Sequence, residues 1–237
     1  MSAYGWDTFW KNERHAFSKV MKIGTTYFCA QISEFLGIKK GDGILDYGCG
    51  PGFIADFFKT WEVSVTGVDI NDFFIQECRS KHANSIFIKI ESNAEANRSI
   101  FDRDLKGKKF DFVIFLSISQ YFKNLEDLES VLTSVLPYTK ASGKIILADV
   151  IDPKSSNFKD AISLFRRCLS AGKIDAYFAF MFYLLSSSYR KLSQNVELLK
   201  ISRQSLSTIA DKNHLNLQQV KNLTIHSTRP NYILTKK

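Results

Sequence analysis

Apolar positions in this chain fall into short blocks whose period changes from block to block. Met21–Leu36 carries them at mixed helical spacing and stops at Gly37, which predicts a helix. Gly43–Tyr47 is an apolar block of strand length that runs into a glycine-rich turn. Phe53–Thr60 puts Ile54, Phe57 and Phe58 on one side of a short helix. A strand is predicted over Glu62–Asp69, a helix over Asp72–His82 and an alternating strand over Ser85–Ile90. Phe110–Leu116 is almost continuously apolar, the pattern of a strand covered on both faces. Leu125–Leu136 reads as a helix stopped by Pro137, and Gly143–Val150 as another buried strand. Strands separated by helices imply right-handed crossovers and a parallel sheet with helices on both sides. After Val150 the rhythm breaks, and residues 153–202 read as mostly helical. A helix near Ser205–Asn213, a weak strand near Leu217–Leu223 and a last strand at Tyr232–Thr235 complete the pattern.

Composition narrows the class. At 237 residues, 45% apolar and 24% charged, the chain suits one sizeable α/β domain and excludes wholesale disorder. The four cysteines (Cys29, Cys49, Cys78, Cys168) form no C-x-x-C pair, which argues against a zinc ribbon or disulfide framework. The N-terminus lacks the apolar core of a signal peptide, and the longest apolar run, Ala176–Leu185, is too short to span a bilayer. A cytoplasmic protein is therefore expected. Charge is uneven. Residues 151–237 hold 14 Lys and Arg against 5 Asp and Glu, so the whole net charge of +8 lies in the last third. Such an excess fits a solvated face, an anionic substrate, a nucleic acid or an anionic surface.

The chemistry concentrates in Ile44-Leu45-Asp46-Tyr47-Gly48-Cys49-Gly50-Pro51-Gly52-Phe53. A buried strand enters a turn of three glycines and a helix starts there, the arrangement that places a ligand at the carboxyl edge of a sheet. A dinucleotide fingerprint, G-x-G-x-x-G, would need glycine where Phe53 stands. The spacing here is G-x-G-x-G after an acid. It resembles motif I of the class I S-adenosylmethionine (SAM)-dependent methyltransferases. The resemblance covers roughly residues 25–150, and residues 203–237 more weakly.

That resemblance implies a Rossmann-like, doubly wound, seven-stranded, mostly parallel sheet with an antiparallel last strand. Within a single domain over residues 1–237 it adds an N-terminal lid segment (1–25) and a helical cap insertion (153–202). It implies SAM as cofactor, S-adenosylhomocysteine as product and no metal. Asp46, Gly48, Cys49, Gly50 and Gly52 would hold the methionyl end, with Asp46 opposing the ammonium. Asp69, which ends the second strand, would accept the ribose hydroxyls, with Ile70 beside it. Glu91 and Ser92 would meet the adenine. Phe115, Leu116 and Ser117, at the end of the fourth strand, would border the transferable methyl.

Transfer from a sulfonium is an in-line displacement that requires alignment and exclusion of water. A hydroxyl or ammonium acceptor also needs a base. Where many relatives carry a histidine, this chain has Gln120 and Tyr121, neither a strong base at neutral pH; both are candidates for positioning the acceptor. Of the four histidines, His82, His214 and His226 read as surface residues. His15, behind the aromatic stretch that contains Tyr4 and Trp10, is a catalytic candidate beside Gln120 and Tyr121, and Tyr4 and Trp10 are candidates to close as a lid over the cofactor. Arg166, Arg167 and Arg190 flank the apolar run of the cap and suggest a small anionic acceptor, phosphorylated or sugar-type. No nucleic acid is expected as partner, because no Asn/Asp-Pro-Pro-Tyr segment follows the fourth strand. A nucleic-acid methyltransferase and a non-catalytic SAM-fold scaffold are the alternatives.

Overall fold

The structure is a computed structural model that describes residues 14–185 and 197–237, with side chains from Phe17 onward. Helix α1 (Arg14–Leu36) leads into β1 (Gly43–Tyr47), α2 (Phe53–Phe58), β2 (Ser64–Asp69), α3 (Asp72–Lys81), β3 (Ile86–Lys89), α4 (Ala94–Leu105) and β4 (Phe110–Leu116). A 3-10 turn at Ser119–Tyr121 precedes α5 (Leu125–Val135), and a second at Leu136–Tyr138 leads into β5 (Thr139–Ala148). Helices α6 (Asn157–Ser170) and α7 (Ile174–Leu184) follow, then α8 (Arg203–Lys212), β6 (Leu215–Val220) and β7 (Asn231–Lys236).

The strands form one seven-stranded sheet in the order β3-β2-β1-β4-β5-β7-β6. Neighbours are parallel except where β7 pairs antiparallel with both β5 and β6. The order reverses between β1 and β4, and the carboxyl ends of those two strands flank the crevice that such a reversal opens.

Strand alternation sends side chains into two cores. Val113 and Phe115 of β4 join Phe101, Leu128, Leu132 and Leu206 under α4, α5 and α8. Phe112 and Ile114 join Phe28, Ile32, Ile54 and Cys78 under α1, α2 and α3. The apolar run of β4 follows from this two-sided burial. Fully buried side chains such as Phe28 and Phe101 each stabilise the fold by about 1.5–3 kcal/mol. A third cluster, Val20 with Leu164, Cys168 and Ala176, seats α6 and α7 on α1.

Two elements depart from the sequence pattern. Helix α4 was not marked by the apolar pattern, because its inner face includes the buried Asn97, whose amide bonds the backbone N–H and C=O of Glu91 at 2.8 and 2.9 Å. Strand β5 starts at Thr139, four residues ahead of the apolar block, and bulges between its pairings with Phe110 and Phe112. A Cβ at Gly143 would lie 2.9 Å from the Phe110 carbonyl oxygen, which is why the bulge holds a glycine. The apolar run of α7 divides: Tyr177 and Phe180 pack inward, whereas Phe178, Phe182 and Leu185 are exposed. Among the described residues, no helix is long and apolar enough to cross a membrane.

Candidate active site

The turn after β1 is tied to the end of β2. The N–H groups of Gly48 and Cys49 both donate to the Val68 carbonyl, at 2.7 and 3.0 Å. The Gly50 N–H donates to Asp69 Oδ2 at 2.8 Å, and the Asn71 N–H to Asp69 Oδ1 at 2.7 Å. Gly50 adopts φ +49°, and a Cβ there would meet nothing within 4 Å. Its exposed side is therefore open. Gly52, at φ +80°, starts α2, and a Cβ on it would lie 2.8 Å from Cys78 Sγ, so side chains are excluded on the inner side.

Asp46 lies beneath this turn, buried, with no hydrogen-bond partner among the described residues. Burial, then the negative charge of Asp69, push its carboxyl up to about 8. Two buried carboxylates in one crevice favour a cationic ligand, since a cation relieves both the desolvation cost and the repulsion. The open Gly50 and the Asp46–Asp69 pair thus fit a ligand that carries an ammonium and a ribose, as SAM does. Next to Asp69, Ile70 is exposed at the sheet edge. Glu91 and Ser92 are exposed at the end of β3, where the Glu91 carboxylate lies 3.3 Å from Lys89 Nζ. Cys49 is buried, and its thiol is pushed up first by a hydrogen bond with Cys78 and then by burial, so it serves as packing.

At the end of β4, Phe115 is fully buried and stacked on Tyr47 at 4.9 Å between centroids, so only its backbone is available to a ligand. Leu116 is half-buried against the α1 side. Ser117 takes φ +55° and donates its hydroxyl to Asp149 Oδ2 at 2.7 Å. Gln120 is buried; its Nε2 donates to the Ser117 carbonyl at 2.6 Å, and its Oε1 has no partner among the described residues. Tyr121 is half-buried beside it.

Two histidines depart from the surface reading. His82 is buried under the turn, with Nε2 3.4 Å from Asp56 Oδ1. His226, in the loop between β6 and β7, places Nδ1 2.7 Å from Asp149 Oδ1. Asp149 also accepts from Arg229 Nη1 at 3.1 Å, and Arg229 Nε donates to Asp160 Oδ2 at 3.0 Å. Burial alone would push the Asp149 carboxyl up. The charges of His226 and Arg229, with hydrogen bonds from His226 and Ser117, outweigh it and hold the group well below the carboxylate range. No sequence spacing links residues 77 positions apart; the signal was a histidine in a loop returning to the carboxyl edge of the sheet. His214 is exposed, as expected.

Arg166 and Arg167 line one cavity between α1, α6 and the β6–β7 loop. Tyr4, Trp10, the side chain of His15, and Arg190 lie outside the described residues.

A family model described as "Methyltransferase domain" matches residues 38–195, more than half of the chain, and the chain belongs to that family. The fold is similar to that of magnesium protoporphyrin IX methyltransferase from Synechocystis PCC 6803, solved with bound SAH. The TM-score is 0.62 at 14% identity, covering 97% of this chain and 95% of that one. PKMT2 from Rickettsia typhi, in complex with AdoHcy, gives a TM-score of 0.56 at 16% identity, covering 91% of this chain and 54% of that one. In sequence, the chain is 25% identical over 140 residues to a ribosomal protein L11 methyltransferase from Laribacter hongkongensis, covering 59% of this chain and 42% of that protein. It is 27% identical over 157 residues to an uncharacterised protein of Methanocaldococcus jannaschii, covering 62% of this chain and 40% of that protein. The chain spans about two fifths of the length of these curated relatives. Sheet order, glycine turn and family match together define a class I SAM-dependent methyltransferase domain.

Proposed function

We propose that the protein moves the methyl group of SAM to an oxygen or nitrogen atom of a small, polar, anionic metabolite of phosphorylated or sugar type. The observation that carries the reading is the buried, unpartnered Asp46, raised by burial and by Asp69 beneath a turn open at Gly50. Asp46 would oppose the ammonium of the donor, and Asp69 would accept from its ribose hydroxyls. Ile70, Glu91 and Ser92 stand along the edge where the adenine would lie. When bound, SAM supplies a methyl group already activated on a sulfonium, so the chain's own task is to align the acceptor, exclude water and take a proton.

His226 is placed to take that proton. The depressed Asp149 carboxyl is ionised and can only accept, so a neutral His226 carries its hydrogen on Nδ1 and leaves Nε2 as an acceptor. No hydrogen bond occupies that nitrogen among the described residues. Ser117 and Arg229 hold Asp149 from two further sides, which fixes the orientation of the imidazole. Gln120 and Tyr121, next to Ser117, would position the acceptor rather than deprotonate it.

The test is calorimetric titration with SAM and with NADH, followed by transfer of labelled methyl from SAM into an extracted metabolite pool. Saturable SAM binding and a small anionic product are expected. NADH binding without SAM binding would sink the reading, and a labelled nucleic acid as the product would redirect it.

A further inference from the structure

The cavity between α1, α6 and the β6–β7 loop has a volume of about 360 Å³, and most of the residues that line it carry a polar or charged group. Tyr27, Arg166, Arg167, Ser170, Thr224 and Ser227 line it. The Arg167 guanidinium lies over the Tyr27 ring at 4.6 Å from its centroid. That stack sets the plane of the guanidinium without using its N–H groups. Arg167 Nε is buried and has no hydrogen-bond partner among the described residues. Neither Arg166 nor Arg167 meets a carboxylate among the described residues.

Arg229, on the same side of the molecule, sets the contrast. It is held by Asp149 at 3.1 Å and Asp160 at 3.0 Å, so its charge is spent within the protein. Arg167 is fixed by the ring beneath it, yet no carboxylate among the described residues pairs with it. A buried N–H without an acceptor is costly, and a fixed guanidinium facing an open cavity is suited to an oxyanion. The cavity also adjoins the candidate base: Ile225 and Ser227, which flank His226 in sequence, both line it.

We infer that this cavity is the subsite for the oxyanion of the methyl acceptor, a phosphate or carboxylate gripped by Arg167 and Arg166, with the nucleophilic atom of the same molecule reaching His226. The inference rests on the methyl-transfer reading and adds to it the side on which the acceptor enters and the charge it carries there.

The test is calorimetry on the full chain in chloride buffer, in the presence of S-adenosylhomocysteine, with inorganic phosphate in one arm and acetate in the other. Saturable binding of one of the two is expected, and the tighter arm tells a phosphate ester from a carboxylate. Arg167→Gln is expected to weaken it by ~10-fold or more. Arg166→Gln, at an exposed position that the fold does not depend on, is expected to weaken it less. SAM affinity in both variants should stay at the parent value. Absence of binding by both anions, or anion binding unchanged in a folded Arg167→Gln protein, overturns the inference. Either result with SAM binding intact leaves the methyl-transfer reading standing; anion binding without SAM binding removes that reading and keeps the subsite.

Discussion

His226 Nδ1 lies 2.7 Å from Asp149 Oδ1, a contact that joins the loop before β7 to the carboxyl end of β5. Asp149 itself sits at φ +63°, directly after the last residue of the strand. Its backbone N–H donates to Asn231 Oδ1 at 2.9 Å, so the first residue of β7 fixes the turn from which the carboxylate projects. The dyad therefore follows from how the antiparallel strand is docked.

Replacing His226 with Gln should leave SAM affinity and melting temperature near the parent values, since the side chain is partly exposed. Methyl transfer should fall by about 10²–10⁴-fold if the imidazole is the base. Any rise of the parent's rate with pH that depends on this imidazole should be lost, and added imidazole should restore part of the activity. The groups that set this profile are Asp149, Arg229, Asp160 and Tyr121. A variant with the parent's rate and pH profile would remove His226 from the chemistry. Asp149→Asn is the less decisive change, because it also strips a partner from Arg229 and is expected to destabilise the fold.

Asp69→Ala removes the acceptor for two backbone N–H groups, those of Gly50 and Asn71, as well as the carboxylate offered to a ribose. Charge-assisted hydrogen bonds of this kind are worth about 1.5–3 kcal/mol, so SAM affinity should drop by ~10–100-fold. Gly50→Val should act by a different route. The residue sits at φ +49°, where a β-branched side chain is strained, and its Cβ would enter the open side of the turn. Calorimetry with SAM and a far-ultraviolet melt of each variant measure both effects. Parent-like SAM affinity in a folded Asp69→Ala protein would refute the ribose assignment.

Much of this site could be read before any coordinates. The β1 turn announces itself through three glycines and an acid at fixed offsets, because close backbone approach imposes residue type locally. Asp69 is legible for the same reason, as the last residue of an apolar strand. What was hidden depends on contacts between distant segments. Asp149 and His226 are 77 positions apart and meet only once β7 has paired antiparallel with β5. Helix α4 was hidden because Asn97 fills an inward position that the apolar pattern expects a hydrophobe to occupy. The start of β5 was obscured by polar Thr139–Ser142, which pairs with β4 across a bulge.

Asn97 yields a prediction about stability and cofactor binding together. Its amide satisfies the backbone N–H and C=O of Glu91, at the end of the strand where the adenine is expected. Asn97→Ala leaves both groups without that partner and should cost about 1–3 kcal/mol in urea unfolding. SAM affinity should fall by less than it does in Asp69→Ala, because the segment is loosened while no group proposed to touch the ligand is removed. A variant of unchanged stability would mean that the amide is dispensable.

The last prediction concerns protons at Asp46. Its carboxyl is raised from an ordinary 3.8 to about 8, by burial first and Asp69 second. A raised folded-state value means that the folded protein holds this proton more tightly than the unfolded chain does. The stabilising contribution is therefore fully present below about pH 4 and declines as pH rises, until the folded carboxyl ionises near pH 8. The melting temperature of the ligand-free protein, taken as the difference from Asp46→Asn, should fall across that window. A cationic ligand favours the ionised carboxylate, so SAM binding should expel the proton. Below pH 8, affinity should then rise by at most about tenfold per pH unit, one proton leaving per ligand bound. Calorimetry in two buffers of different ionisation enthalpy counts that proton directly. In Asp46→Asn the released proton should disappear and affinity should lose this pH dependence. Equal proton release in parent and variant would show that the donor's positive charge is not received at Asp46.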